Sequence, residues 1–157
     1  MRKLLAAAFV GVALCLVAPA QAGFDEGVAA YERGDYASAF REFRPLADQG
    51  VAAAQYNLGL MYVNGRGVTQ DYVEAVKWYR KAAEQGNAKT QHNLGTMYFY
   101  GKGVTQNYVQ AHMWFNLAAV KGNETSRKGR GIVAEKMTPA QIAEAQRLAR
   151  EWQPKKP

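Results

Sequence analysis

Apolar positions along the chain fall into short amphipathic stretches divided by glycine. Ala54, Leu58, Met61 and Tyr62 stand at i, i+4, i+7 and i+8, the spacing of one helical face. Gly65-Arg66-Gly67 breaks that stretch, with both glycines expected to supply positive φ in the turn. Tyr72, Ala75, Val76, Tyr79, Ala82 and Ala83 trace a second apolar face, which stops at Gly86. Asp71 followed by Glu74 has the spacing of a capping box, so this second helix is expected to start at Asp71. Gly59 lies inside the first helix at a cost of about 1 kcal/mol relative to Ala. Its missing Cβ is expected to let the second helix approach closely.

The same pair recurs. At an offset of 36 residues, segments 51–86 and 87–122 share 19 identical positions. Asn57-Leu58-Gly59 returns as Asn93-Leu94-Gly95, and Trp78 as Trp114. Asp71 and Glu74 return as Asn107 and Gln110, amides that still cap, which favours a structural over a catalytic carboxylate role. A fixed period of this length marks a solenoid of stacked units. A looser unit precedes the two copies: a helix over Phe24–Arg33, then one capped by Asp35 with Ala37, Phe40, Phe43 and Ala47 on its buried side. Pro45 is expected to kink that helix or strain its last turn. After Gly122 the pattern decays into a first-type helix over 124–136, weakened by Gly129 and Gly131. Thr138-Pro139-Ala140-Gln141 then opens a last helix, with N-cap, Pro at N1 and Gln at N3. Ile142, Ala145, Leu148, Ala149 and Trp152 give it an apolar face suited to covering the exposed end of the array. The expected fold is all-α: an α-solenoid of antiparallel helix pairs at 23–50, 51–86 and 87–122, then a degenerate helix and capping helix at 123–153 and a frayed tail at 154–157.

Residues 1–22 read as an address. Arg2 and Lys3 precede 15 unbroken apolar residues from Leu4 to Ala18, and Ala20-Gln21-Ala22 offers small residues before a cut between Ala22 and Gly23. The rival is a membrane anchor, but a spanning helix needs about 20 apolar residues. The expectation is export to the periplasm or beyond, with no stable membrane insertion after cleavage. Cys15 follows Leu14 rather than a small residue, which argues against lipidation, and it leaves with the leader. The mature chain then has no Cys, hence no disulfide framework and no Cys-based metal site.

Charge sharpens the location of binding. The 157 residues carry 20 Lys+Arg against 13 Asp+Glu, a net +7 that invites a nucleic-acid reading. Export removes that partner. The distribution is also lopsided: residues 23–86 hold 7 basic and 9 acidic groups, and residues 87–157 hold 11 basic and 4 acidic. Arg127, Lys128, Arg130 and Lys136 concentrate the excess near the decayed unit. This is either a solvated charged face or a docking patch for an acidic envelope partner or anionic surface.

Catalytic chemistry finds little footing. Neither of the two serines, Ser38 and Ser126, opens a Ser-x-x-Lys. His92 aligns with Tyr56, and His112 with Val76 and Phe40, as packing positions do. Gly65-x-Gly67 and Gly101-x-Gly103 lack the strand and the Lys-Ser/Thr of phosphate loops. Trp78, Trp114, Met61 and Met97 are expected in the core. No cofactor or metal is expected.

The run Ala54, Leu58-Gly59, Tyr62, Gly65-Arg66-Gly67-Val68, Asp71, Ala75, Trp78, Ala82-Ala83 and Gly86 resembles the Sel1-like repeat, a subclass of tetratricopeptide-type helix pairs. Against the repeat's pattern, which takes Asp or Asn at the cap and any residue between the paired glycines, the second copy departs only at Thr90. The resemblance implies an exported bacterial α-solenoid adaptor without shared chemistry, whose first helices line an inner surface. On that surface Gln55, Asn57, Lys89, Gln91, Asn93 and Arg127 are candidates to grip a protein partner of the envelope. The alternative is a cell-wall-directed or β-lactam-binding or -hydrolysing protein. That branch of the family carries a Cys pair in each repeat, which the mature chain here lacks.

Overall fold

A computed structural model describes residues 19–156. Residues 1–18 of the expected leader lie outside them, and the expected cleavage site, Ala22-Gly23, falls in the first described helix. Eight helices follow in order: α1 Pro19–Glu32, α2 Tyr36–Asp48, α3 Ala52–Asn64, α4 Tyr72–Glu84, α5 Ala88–Tyr100, α6 Tyr108–Val120, α7 Glu124–Ala134 and α8 Pro139–Glu151. Each helix from α1 to α6 packs on the next, as a solenoid of helix pairs requires.

Local chemistry sets the helix ends. The Asp71 carboxylate accepts from the N–H groups of Val73 and Glu74, and Asn107 from that of Gln110. The box expected at Asp71 does not close. Its own N–H donates to the Tyr62 carbonyl at 3.0 Å, and Glu74 pairs instead with Lys77. Asn107 likewise donates to Tyr98, so the cap also ties each second helix back to its first. A reciprocal capping box does form at Thr138 and Gln141. α2 runs three residues past Pro45, and α1 starts five residues before the expected Phe24.

The glycines inside first helices act as expected. A Cβ at Gly59 would stand 2.3 Å from the Tyr79 ring, and one at Gly95 would stand 2.9 Å from Phe115. Gly67 adds a contact between units: at φ +72°, a Cβ there would lie 2.4 Å from the Tyr36 carbonyl oxygen. Leu58, Met61, Tyr79, Leu94, Met97, Trp78 and Trp114 are all buried.

Two expectations change at the C-terminal end. α8 does not stack on α7 but packs along α6, with the Trp152 ring edge-on to Trp114 at 6.5 Å. α6 presents Met113, Trp114 and Leu117 to the cluster that also holds Leu148 and Ala149, so apolar area is better buried there. The tail is also docked rather than frayed. The Lys155 N–H donates to the Glu84 carbonyl at 2.8 Å, and its ammonium pairs with the Glu84 carboxylate at 2.9 Å.

Candidate functional site

The first helices α1, α3, α5 and α7 supply one layer, and adjoining grooves run between them. The groove between α3 and α5 has a volume of about 240 Å³ and is lined by Leu60, Val63, Asn93, Thr96 and Lys102. Thr96 is shared with the next groove, also about 240 Å³, between α5 and α7. Phe99, Tyr100, Ile132, His92 and Lys128 line that one. Tyr100 and Ile132 are 63% and 52% exposed, so the second groove carries apolar side chains that the fold leaves in water. Near the other end of the layer, Asn57 and Lys89 share a hollow with Phe24, Tyr56 and Asn87.

The structure thus brings Asn57 to Lys89, sets Asn93 in the central groove, and sets Lys128 in the last. Gln55 and Gln91 are corrections. They were expected on a surface open to a partner, yet they are 3% and 0% exposed. The Gln55 amide donates to the Ala47 carbonyl at 3.1 Å, and the Gln91 amide to Ala83 at 3.2 Å. Each adds a side-chain donor to a carbonyl in the last turn of the preceding helix, which also accepts from the N–H of Gly50 or Gly86. Arg127 is exposed and pairs with Glu124. Arg130 is half-buried and donates to the Asn116 side chain, while Lys136 is exposed. The four cations of the decayed unit therefore occupy distinct settings, with Lys128 lining the groove between α5 and α7.

Tyr100, Phe99 and Ile132 escaped the sequence reading because isolated apolar residues read as core. The available signal was the register. Asn64 and Val63 of the first copy become Tyr100 and Phe99 in the second, larger aromatic side chains that pack edge-on against each other at 4.9 Å while Tyr100 stays exposed.

A serine–histidine pair is present. Ser126 Oγ lies 2.9 Å from His92 Nδ1. Such a pair can activate a nucleophile when a substrate can reach it, but Ser126 is fully buried. His92 occupies the register of Tyr56 and packs on Phe115 at 5.4 Å, as Tyr56 packs on Tyr79 at 6.3 Å. Burial lowers the pKa of His92, and burial together with Arg130 lowers that of His112. Among the described residues no cluster of three or more His, Cys, Asp or Glu could hold a metal ion. Nor is any helix among them long and apolar enough to cross a membrane.

Comparison with known proteins agrees with this geometry. The Sel1 repeat model matches residues 52–87 and 88–123. A protective antigen of uropathogenic Escherichia coli strains, displaying an SLR fold, superposes with a TM-score of 0.81 at 36% identity. The alignment covers 85% of this chain and 29% of that one. A Sel1 repeat protein from Oxalobacter formigenes gives 0.67 at 37% identity, covering 72% of this chain and 48% of that one. The chain thus spans less than half the length of either. No curated protein matches it in sequence. With two consecutive helix pairs matching the repeat, and with the two solved structures superposing over 85% and 72% of the chain, the chain is a Sel1-repeat protein built as an α-solenoid.

Proposed function

We propose that the chain is a non-catalytic repeat scaffold of the bacterial periplasm, an adaptor or regulator that holds a protein partner on its layer of first helices. The observation that carries this reading is the pair of adjoining grooves floored by Leu60, Val63, Phe99, Tyr100 and Ile132. Asn93, Lys102 and Lys128 stand at their margins. An apolar floor with few polar groups is the usual composition of a recognition groove. Asn57, Lys89 and Arg127 extend the polar contacts along the same layer. The run from Arg2 to Ala22 supports export.

A photo-crosslinker placed at Tyr100 in cells should capture one discrete envelope protein, identified by mass spectrometry. Joint Asn57→Ala and Asn93→Ala substitution should weaken that capture with helicity unchanged. Capture that survives the pair removes the two amides from the site. The same capture from a crosslinker at exposed Arg41, with none from Tyr100, removes the whole face. Sequencing of the periplasmic protein should begin at Gly23, and a cytoplasmic chain that retains Met1 would refute export.

A further inference from the structure

Helices α4 and α6 are the same element in successive repeats, yet their outward faces differ. Where α4 has Lys77, Arg80 and Lys81, α6 has Met113, Asn116 and Leu117. The face on α6 is covered by α8: Trp152 meets Trp114, and Leu148 and Ala149 join the cluster of Met113 and Leu117. On α4, among the described residues, no helix lies in the corresponding place. A groove of about 510 Å³ stands there, floored by Val73, Val76 and Trp78 with Val104 of the next loop. Val73 is 52% exposed. The Trp78 ring is flanked by cations instead of a second indole, with Arg44 at 5.3 Å and Lys81 at 4.4 Å from its centroid.

We propose that this outward groove of α4 docks an amphipathic helix of a partner protein, one whose apolar stripe is bordered by Asp and Glu. The chain itself shows how such a helix sits. α8 matches α4 in length at 13 residues and places Leu148, Ala149 and Trp152 against the equivalent surface of the next repeat. The change from Met113, Asn116 and Leu117 to Lys77, Arg80 and Lys81 sets the chemistry of the occupant. Glu74 is the one carboxylate among the groove's lining residues, set against Lys77, Arg80 and Lys81. An acidic border would be steered in and oriented by that excess, whereas a basic one would be repelled. α8 balances Arg147 and Arg150 against Glu144 and Glu151, with Arg147 paired to both carboxylates, so a second copy's α8 lacks the net acidic border this groove selects. The face lies on a second helix, so it stands or falls separately from the grooves of the first-helix layer.

The test uses a fluorescein-labelled synthetic peptide of residues 138–153 carrying Arg147→Glu and Arg150→Glu, titrated with the purified protein by fluorescence anisotropy. Saturable binding in the micromolar range is expected. Joint Lys77→Glu and Lys81→Glu should weaken it by about tenfold, and so should Val73→Asp, with the circular dichroism of the protein unchanged. The unmodified peptide should bind about tenfold more weakly than the acidic one. Four results would overturn the proposal. One is no saturation up to about 100 μM peptide. A second is binding indifferent to the changes at Lys77, Lys81 and Val73, which would mean displacement of α8 from α6. A third is equal binding of the two peptides. The last is a dimer in solution that Val73→Asp breaks, which would give the groove to a second copy.

Discussion

Gln91 and Lys121 mark a place where the second repeat is less complete than the first. In the first, Gln85 donates to the Gly50 carbonyl at 2.8 Å and to Gln55 Oε1 at 2.9 Å. Its counterpart Lys121 keeps the first bond, to the Gly86 carbonyl, but leaves Gln91 Oε1 buried without a hydrogen-bond partner among the described residues. An unsatisfied buried acceptor costs about 1–3 kcal/mol. Lys121 also lies 5.5 Å over the Trp152 ring, a contact worth about 0.5–1 kcal/mol. The first term is larger, so Lys121→Gln is expected to stabilise the protein by about 1 kcal/mol in urea denaturation. A net loss would mean that the amide does not re-form the bridge. His92 and His112 bear on pH instead. Burial holds both pKa values below the ordinary 6.5. As pH falls below that value, the unfolded chain takes up protons that the folded one refuses, so stability drops until the folded pKa values are passed. Replacing His112 by Phe, the residue that Phe40 supplies in the register, should flatten the fall in melting temperature between about pH 7.5 and 5. An unchanged slope would exonerate His112.

At the scale of elements, the glycines separate close approach from mere tolerance. Gly59→Ala gains up to about 1 kcal/mol in helix propensity. It also drives a Cβ to 2.3 Å from the Tyr79 ring. Overpacking of this kind costs about 1–3 kcal/mol, so the variant should be destabilised. Gly131, inside α7, has nothing within 4 Å of its hypothetical Cβ. Gly131→Ala should therefore stabilise by about 0.5–1 kcal/mol. Thermal melts of the two variants should move in opposite directions, and a common direction would refute the packing argument. The helix pairs were legible in sequence because each records its cap, its close-approach glycine and its stop twice, in register. The docking of α8 was not, because it has no periodic counterpart. A trace of it is visible in α6 nonetheless: Met113 and Leu117 replace Lys77 and Lys81, so the outer face that is charged on α4 is apolar where α8 lies. Gln55 and Gln91 misled because a recurring amide reads as a solvent-facing group. Their acceptors are carbonyls eight residues back, at the close of the preceding helix, which no face pattern reveals.

Across the whole molecule, stability and charge are graded along the stack. α1 packs chiefly on α2, at one end, whereas α3 to α6 each lie between two neighbours. α6 gains a third in α8, and the tail adds ties from Lys155 to Glu84. In a stack held by contacts between neighbours, each unit's protection follows its own stability and its interfaces. Local opening then spans a range from near zero at frayed ends to the global free energy in the interior. Amide hydrogen exchange should accordingly be fastest in α1, and slowest in α5 and α6, where Leu94, Gln91, Thr90 and Ala111 are fully buried. The exposed grooves between α5 and α7 sit beside that most protected segment, so a partner would meet a preformed surface and bind without ordering it first. The basic excess of residues 87–157 lies at the same end. Trp152→Ala would strip α8 of its contact with Trp114 and should raise exchange in α6 and α8 while leaving α1 and α2 unchanged. If exchange in α1 rose in step with that in α6, the protein would unfold as a single cooperative unit, and the graded stack would be the wrong description.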